Sequence, residues 1–529
     1  MREKSSGILR SSLTMSAATF ASRILGLVRE QVMAMIFGAS YLTDAFLVAY
    51  RIPNLLRDLL AEGAFSAAFV PIFTEVRKRQ GEAAAKELLW SIAILLFLIT
   101  GLVGLLIYIF SPALITFFAP SFSSNAYKFN IAVILTRIMS GFLLCVSLAA
   151  LFMGVLNSLK VFFVPALAPA GFNVVMVISC LLLPNVLERY GLAAIYALGI
   201  GVLLGGICQV GIQIPLLLKY QHGPFWPRQL LSPVALRVIR RLGPGLIGFA
   251  AGQINLLVTT ILASGIVGAV SWLNYAFRLF QFPVGIVGVS VANSHLVHFS
   301  DAVKGGEMQR AKELLSISYH LILSMLLPAT TLLFFLAEEI TNIVFQRGKY
   351  TAFDTLMTAD VLRLYALGLP FYGIYKLMVP TFYALDKQKI PIIITVTTIA
   401  VNILFCLYFI DRVGFRVLAI GTTLTMLLNS LLLLSLVQEA LNLELNFFYK
   451  LRILKFVVAA GISAIFVRLL SLKFFFFNEV LLIKVGKLLV LLLLGGVFYL
   501  ILLLLFREEE LCQKTNRGWK KLRTKFGLC

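Results

Sequence analysis

Charge is scarce in this chain. Only 13% of its 529 residues are Asp, Glu, Lys or Arg, while 60% are hydrophobic. Soluble domains carry roughly 25% charged residues, so a water-soluble protein is excluded and an integral membrane protein is expected. Acids are the scarcest charges, 24 against 46 Lys and Arg, giving a formal charge of +22. The basic residues lie mostly in short loops between apolar segments and form no separate basic domain, so no nucleic-acid partner is expected. Six cysteines are scattered: Cys145, Cys180, Cys208 and Cys406 in apolar segments, Cys512 and Cys529 near the end. No metal-ligand or redox spacing appears among them, and His222, His295, His298 and His320 form no zinc motif. A phosphate-binding P-loop and a nucleophile elbow are also lacking. Covalent catalysis and direct use of ATP are therefore not expected, and neither is a cofactor. No cleavable signal peptide is read at the start, since Met1–Arg10 is polar and basic and the first apolar segment carries arginines.

What is abundant is long apolar sequence. Segments near 11–37, 43–73, 87–110, 129–157, 162–184, 192–218, 236–264, 270–298, 312–336, 353–384, 390–410, 416–438, 450–470 and 482–506 each match a span. The fold class predicted is an all-α polytopic membrane protein with about fourteen transmembrane helices. One set of loops holds Arg77, Lys78, Arg79, Lys86, Lys160, Lys219, Arg228, Arg237, Arg240, Arg241, Lys304, Arg310, Lys312, Lys387 and Lys389. The opposite set, at 39–43, 111–127 and 265–270, holds no Lys or Arg. By the positive-inside rule the basic loops and both termini are expected in the cytoplasm.

The sequence also repeats itself. A shift of 227 relates AYRI at 49–52 to AFRL at 276–279, Gly38 to Gly265, Gly141 to Gly368 and Lys160 to Lys387. A shift of 226 relates AKELL at 85–89 to 311–315, and Pro165 to Pro391. Six helices per repeat predict two lobes of equal orientation, over 1–220 and 221–440. Two additional helices over 441–506 and a basic tail over 507–529 complete the expected organisation.

The residues that break the apolar pattern are the candidate site. Arg23, Arg29, Arg51 and Arg57 fall in the first two segments, with Glu30, Asp44, Asn54, Asp58 and Glu62. A charge at a lipid-exposed helix centre costs about 2.5–3.5 kcal/mol on insertion scales, so such residues face protein or a watery cavity. On the second helix Asp44, Arg51, Asn54, Asp58 and Glu62 share a face, and Pro53 interrupts it. On the first, Arg23 and Glu30 are seven apart and share a face. Arg278 is the repeat partner of Arg51, and Lys376 is a further cation at membrane depth. Three readings stand: pairs such as Arg51 with Asp44 or Asp58, and Arg23 with Glu30, are structural; Arg57, Asp58 and Glu62 are solvated charges at the cytoplasmic helix end; or the surplus of cations holds an anion. Arginine's planar fork of donors suits phosphate oxygens.

The run ASRILGLVREQVMAMIFGASYLTDAFLVAYRIPNLLRDLLAEGAFSAAFVPIF resembles the amino-terminal signature of the MurJ (MviN) family of lipid II flippases. SWLNYAFRLFQFPVGIVGVSVA resembles its eighth helix, and FQRGKYTAFDTLMTADVLRLYALGL its ninth-to-tenth connection. The resemblance covers essentially the whole chain. It implies a transporter of the MOP exporter superfamily in a bacterial cytoplasmic membrane. The activity implied is alternating-access export of the undecaprenyl-diphosphate-linked peptidoglycan precursor, lipid II, for cell-wall synthesis. The implied substrate-binding residues are Arg23, Arg29, Arg57 and Arg278, with Asp44, Asn54 and Glu62 nearby; Arg51 and Glu30 complete the candidate set. The last two helices would form a groove for the polyprenyl tail.

The chain departs from that pattern at Glu30, where Asp is common, at Phe277, where Asp is common, and at Gln281, where Glu is common. A sodium site seen in some relatives is in doubt, because Asn402, Cys406 and Thr422 stand at the matching positions; Asn402 and Thr422 are the remaining weak candidates. The expected energy source is the membrane potential or a monovalent-cation gradient. Membrane lipids and proteins of cell-wall synthesis or division are the other expected partners. The competing readings are an exporter of another lipid-linked oligosaccharide, a multidrug exporter of the same architecture, or a non-transporting scaffold of the cell-wall or division machinery.

Overall fold

The computed structural model describes residues 2–61, 64–442 and 447–506. Among these residues the secondary structure is helical, without a strand. Ten of the helices are long and apolar enough to cross a membrane. The expected fourteen is not reached by that measure. The helices Arg2–Phe37 and Tyr41–Ala61, which carry the arginines, fall outside the ten. So does the apolar stretch at 353–384, which folds as two helices, Ala352–Leu367 and Leu369–Ala384. At 16 residues each, either is about 24 Å long, short of the roughly 30 Å hydrocarbon core.

Packing divides the chain into two compact units. The first runs from the start of the chain to Ser271 and takes in Arg347–Thr351; the second comprises Trp272–Gln346 and the chain from Ala352 on. In the first unit, Arg2–Phe37 packs against Phe163–Arg189, which lies along Tyr196–Gly211. Tyr41–Ala61 packs against Ala126–Met139 and Phe142–Ser158. Pro53 sits inside a continuous helix. Phe69, Phe73, Leu89, Leu151, Val155 and Leu217 form a core joined by Ala235 and Val238. These last two belong to Pro233–Ala263, which packs on Ala64–Gln80 and so is part of the first unit.

The second unit is built around Met308–Phe335, which packs against Val289–Lys304, Leu369–Ala384 and Phe447–Phe474. Buried His295 bridges three of these helices, with Ser318 Oγ at 3.1 Å and Thr381 Oγ1 at 3.0 Å. A π-helical turn, Val284–Gly288, follows Pro283. Phe447–Phe474 and Leu481–Leu505 pair with one another, and Ser463 Oγ donates to the Gly495 carbonyl at 2.7 Å. Their ends are tied to the short helix Ala337–Phe345 by polar contacts. Glu339, only 2% exposed, accepts from Arg468 and from Ser471 Oγ, and Lys484 donates to Asn342 Oδ1 at 2.8 Å.

The repeat read from the sequence has a local structural counterpart. Ala126–Met139 ends just before Gly141 and Phe142–Ser158 resumes after it; Ala352–Leu367 and Leu369–Ala384 meet in the same way at Gly368. Gly141 and Gly368 are the pair related by 227 residues.

Candidate functional site

The first helix carries two of the candidate arginines, Arg23 and Arg29, in different settings. Arg29 is half-buried: its guanidinium donates to Asn173 Oδ1 at 3.1 Å, pairs with buried Glu30, and lies 5.8 Å from the Phe172 ring centroid. Asn173 is itself oriented by donating to the Ser22 carbonyl at 3.2 Å. Arg23, two turns earlier, is exposed. The shared face of Arg23 and Glu30 suggested a pair, but the carboxylate instead meets the adjacent Arg29. Burial favours that choice, since an ion in low dielectric needs its counter-ion within reach.

On Tyr41–Ala61, Arg51, Asn54 and Arg57 are half-buried, and each has a partner within the protein. Only the backbone of Asp58 is described, and Glu62 lies outside the described residues. Asp44 has a clear structural setting. It is fully buried and accepts from the Gly268 amide at 2.7 Å, the Ser271 amide at 3.0 Å and Ser271 Oγ at 2.7 Å. It thereby satisfies amides at the start of the helix Ala269–Pro283, which have no partner within that helix, and places negative charge at the positive end of its dipole. The structural pair of Asp44 with Arg51 weighed from sequence is not formed.

In the second unit Arg278 is exposed on Ala269–Pro283. The same helix is fixed by aromatic contacts: Phe280 lies 5.8 Å from Tyr365 and 5.7 Å from Tyr372, and Phe277 5.7 Å from Tyr365. Phe277, one of the departures from the family pattern, is thus part of the packing that holds Arg278's helix. Lys376 lies 5.4 Å from the Tyr372 ring. Asn402 is buried and accepts from Cys406 Sγ at 3.4 Å, while the Thr422 hydroxyl donates to the Leu418 carbonyl at 2.9 Å. Among the described residues no three His, Cys, Asp or Glu side chains are grouped to hold a metal.

Sequence reasoning missed the partners that order the arginines. Phe46 stacks on Tyr50 at 5.8 Å, Tyr50 meets Phe142 at 6.1 Å, and Phe142 meets Phe172 at 5.7 Å. Phe172 then carries Arg29. An aromatic relay therefore connects the helix of Arg51 to the guanidinium of Arg29. Asn173 and Phe172 lie more than 140 residues from Arg29, in a segment whose apolar pattern gives no hint of a polar contact.

Comparison with known proteins shows the family and the fold. The family model described as lipid II flippase MurJ matches residues 33–504. A probable lipid II flippase MurJ from Buchnera aphidicola subsp. Acyrthosiphon pisum is 35% identical over 434 residues, 80% of this chain and 83% of the relative. The lipid II flippase MurJ of Burkholderia cenocepacia is 35% identical over 439 residues, again 80% and 83%. A solved lipid II flippase MurJ in an inward closed conformation is 28% identical and superposes with a TM-score of 0.78, covering 93% of this chain and 98% of that one. An inward-facing multidrug resistance MATE transporter of the MOP superfamily, at 12% identity, shares the fold with a TM-score of 0.66.

Proposed function

The chain belongs to the lipid II flippase MurJ family, and from that premise we propose that it carries lipid II across the cytoplasmic membrane by alternating access, as a transporter and not an enzyme. The diphosphate is bound by charge-assisted hydrogen bonds from Arg23, Arg29, Arg51, Arg57 and Arg278. Asn54 and Glu62 belong to the same lining, Glu30 orients Arg29, and Asp44 holds the helix end beside them. The polyprenyl tail stays in the bilayer, because exposing it to water would cost about 0.8 kcal/mol per CH₂. The helices Phe447–Phe474 and Leu481–Leu505 are the proposed contact for that tail. Both termini lie in the cytoplasm, and the membrane potential, about 2.3 kcal/mol per charge per 100 mV, or a monovalent-cation gradient supplies the drive.

The observation that carries this reading is the setting of Arg23. It is an exposed cation on a helix whose nearest acid, Glu30, is taken by Arg29, while Asp44 is taken by a helix end. A cation with no counter-ion among the described residues suits an anionic substrate, and it argues against an exporter of cationic drugs, for which acidic and aromatic cavities are favoured. The test is reconstitution of the full chain in vesicles with labelled lipid II, with and without an imposed potential or sodium gradient. Translocation is expected in the wild type and lost in Arg23→Ala and Arg278→Ala, with both variants inserted and folded. Normal translocation by both variants rejects the proposed site.

A further inference from the structure

The first unit also holds a groove that the proposed substrate residues do not line. A cavity of about 380 Å³ opens beside the broken helix Ala126–Ser158 and is lined by Thr100, Gly101, Gly104, Tyr108, Ser140 and Gly141, among others. Its walls are mainly apolar, and the flanking residues Leu102, Leu106 and Phe110 are exposed as befits a surface facing lipid. A volume of a few hundred Å³ is in the range of small-ligand sites. Gly101 to Tyr108 lies roughly 28–39 Å along the helix axis from Glu82, so the groove is at the end remote from the basic Arg77–Lys86 segment.

One end of this groove carries a cation. Arg137 is half-buried, with its guanidinium 5.5 Å from the ring centroid of Tyr108, a lining residue. Its Nε donates to Ser111 Oγ at 3.0 Å, which fixes the plane of the fork. Among the described residues no carboxylate lies within ion-pair distance of it, and its two terminal amino groups donate to no protein acceptor. The second repeat is different. Arg363, at a shift of 226, ends the first half of the other broken helix and pairs with Asp360 at 2.9 Å and Glu338 at 3.7 Å. There the arginine is neutralised by protein, and here the counter-ion is left to something else.

We propose that this groove is a binding site for an anionic phospholipid of the leaflet opposite the basic loops. One acyl chain lies along Gly101 and Gly104, and the phosphate accepts from the terminal amino groups of Arg137. Apolar walls select a hydrocarbon chain, and the fixed guanidinium selects a phosphate over a neutral or cationic head. The site is separate from the proposed substrate arginines in residues and in chemistry, since it retains a lipid and does not transport one.

The test is native mass spectrometry of the full chain released from nanodiscs of equal phosphatidylglycerol and phosphatidylcholine. The wild type is expected to retain phosphatidylglycerol preferentially. Arg137→Gln is expected to lower that preference by about tenfold, the weight of one charge-assisted hydrogen-bond pair. Gly101→Leu fills the groove without touching the charge. A Cβ there meets only Leu144 Cδ1, at an ordinary contact distance of 3.6 Å. An unchanged unfolding midpoint confirms that the variant folds, and loss of retained lipid of both kinds is expected. An unchanged lipid ratio in Arg137→Gln, or unchanged retention in Gly101→Leu, overturns the proposal. So does displacement of the bound species by inorganic phosphate alone, or a dimer abolished by Gly101→Leu, which would assign the groove to a second copy of the chain.

Discussion

The two broken helices share one plan and differ in how their arginines are neutralised. Around Gly368, Arg363 is held by Asp360 and Glu338, and Asp360 also accepts from Arg416 at 2.7 Å. Around Gly141, Arg137 has a serine and an aromatic face but no acid among the described residues. The same contrast divides Arg29, paired with Glu30, from exposed Arg23. In a chain with 24 acids for 46 basic residues, many cations must go without a carboxylate of their own. The arginines left without one are the places where an external anion lowers the free energy.

That contrast is tested first where acids serve the fold. Asp44→Ala leaves two amides and a hydroxyl buried without an acceptor, and at about 1–3 kcal/mol for each orphaned group it should be the most destabilising change. A lowered unfolding midpoint in detergent is expected, with Asp44→Asn intermediate. Glu339→Ala should cost about 3 kcal/mol, the low end for breaking a buried pair, because Arg468 remains 31% exposed and can turn to water. Proteolysis of the hairpin Phe447–Leu505 should quicken in that variant. Where the cation is unpaired the signs reverse: Arg23→Ala should leave the unfolding midpoint unchanged and lower lipid II translocation by at least about tenfold. An Arg23→Ala protein that melts early but transports normally would break the comparison.

Two smaller effects sharpen it. Gly348 has φ +58°, and a Cβ on it would stand 2.2 Å from the Met35 carbonyl oxygen. Gly348→Ala should therefore destabilise the docking of Arg347–Thr351 on the first helix, seen as loss of the Lys349 amide bond to the Met35 carbonyl. The backbone region alone costs about 1–2 kcal/mol and the clash with the Met35 carbonyl adds to it, read as faster hydrogen exchange at Lys349. The least affected variant should be Arg363→Gln. Its pairs are partly exposed, and such pairs contribute about 0–1 kcal/mol, so its melting and transport should stay near wild type.

Much of this was legible in the sequence. Apolar runs separated by basic loops gave the helical membrane class, and the shift of 227 paired Gly141 with Gly368, but each reads as lying inside a single span and the sequence does not show the helix breaks there. The family resemblance carried over the arginines, and the family comparison agrees with it. Sequence was silent on pairing. Glu30 has Arg23 on its helical face, yet it meets Arg29, because Asn173 and Phe172 on a distant helix draw that guanidinium into place. Periodicity reports which way a residue points along its own helix and nothing about what another helix brings to it. A measure of length and apolarity passes ten helices and leaves out the arginine-bearing Arg2–Phe37 and Tyr41–Ala61, which the sequence reading counts as spans and which pack among apolar helices.

The contact between Asp44 and Ser271 has one more implication. These residues are 227 positions apart, one repeat length, so each stands at the other's equivalent place and the two touch. In a perfectly duplicated chain, residue 44 would meet its own likeness there. Two aspartates would repel across that contact, and two serines would bring no charge to the amides of the following helix. A charged acceptor facing a donor is open only to copies that have become unequal. At this spot the molecule's stability depends on its halves having ceased to be the same.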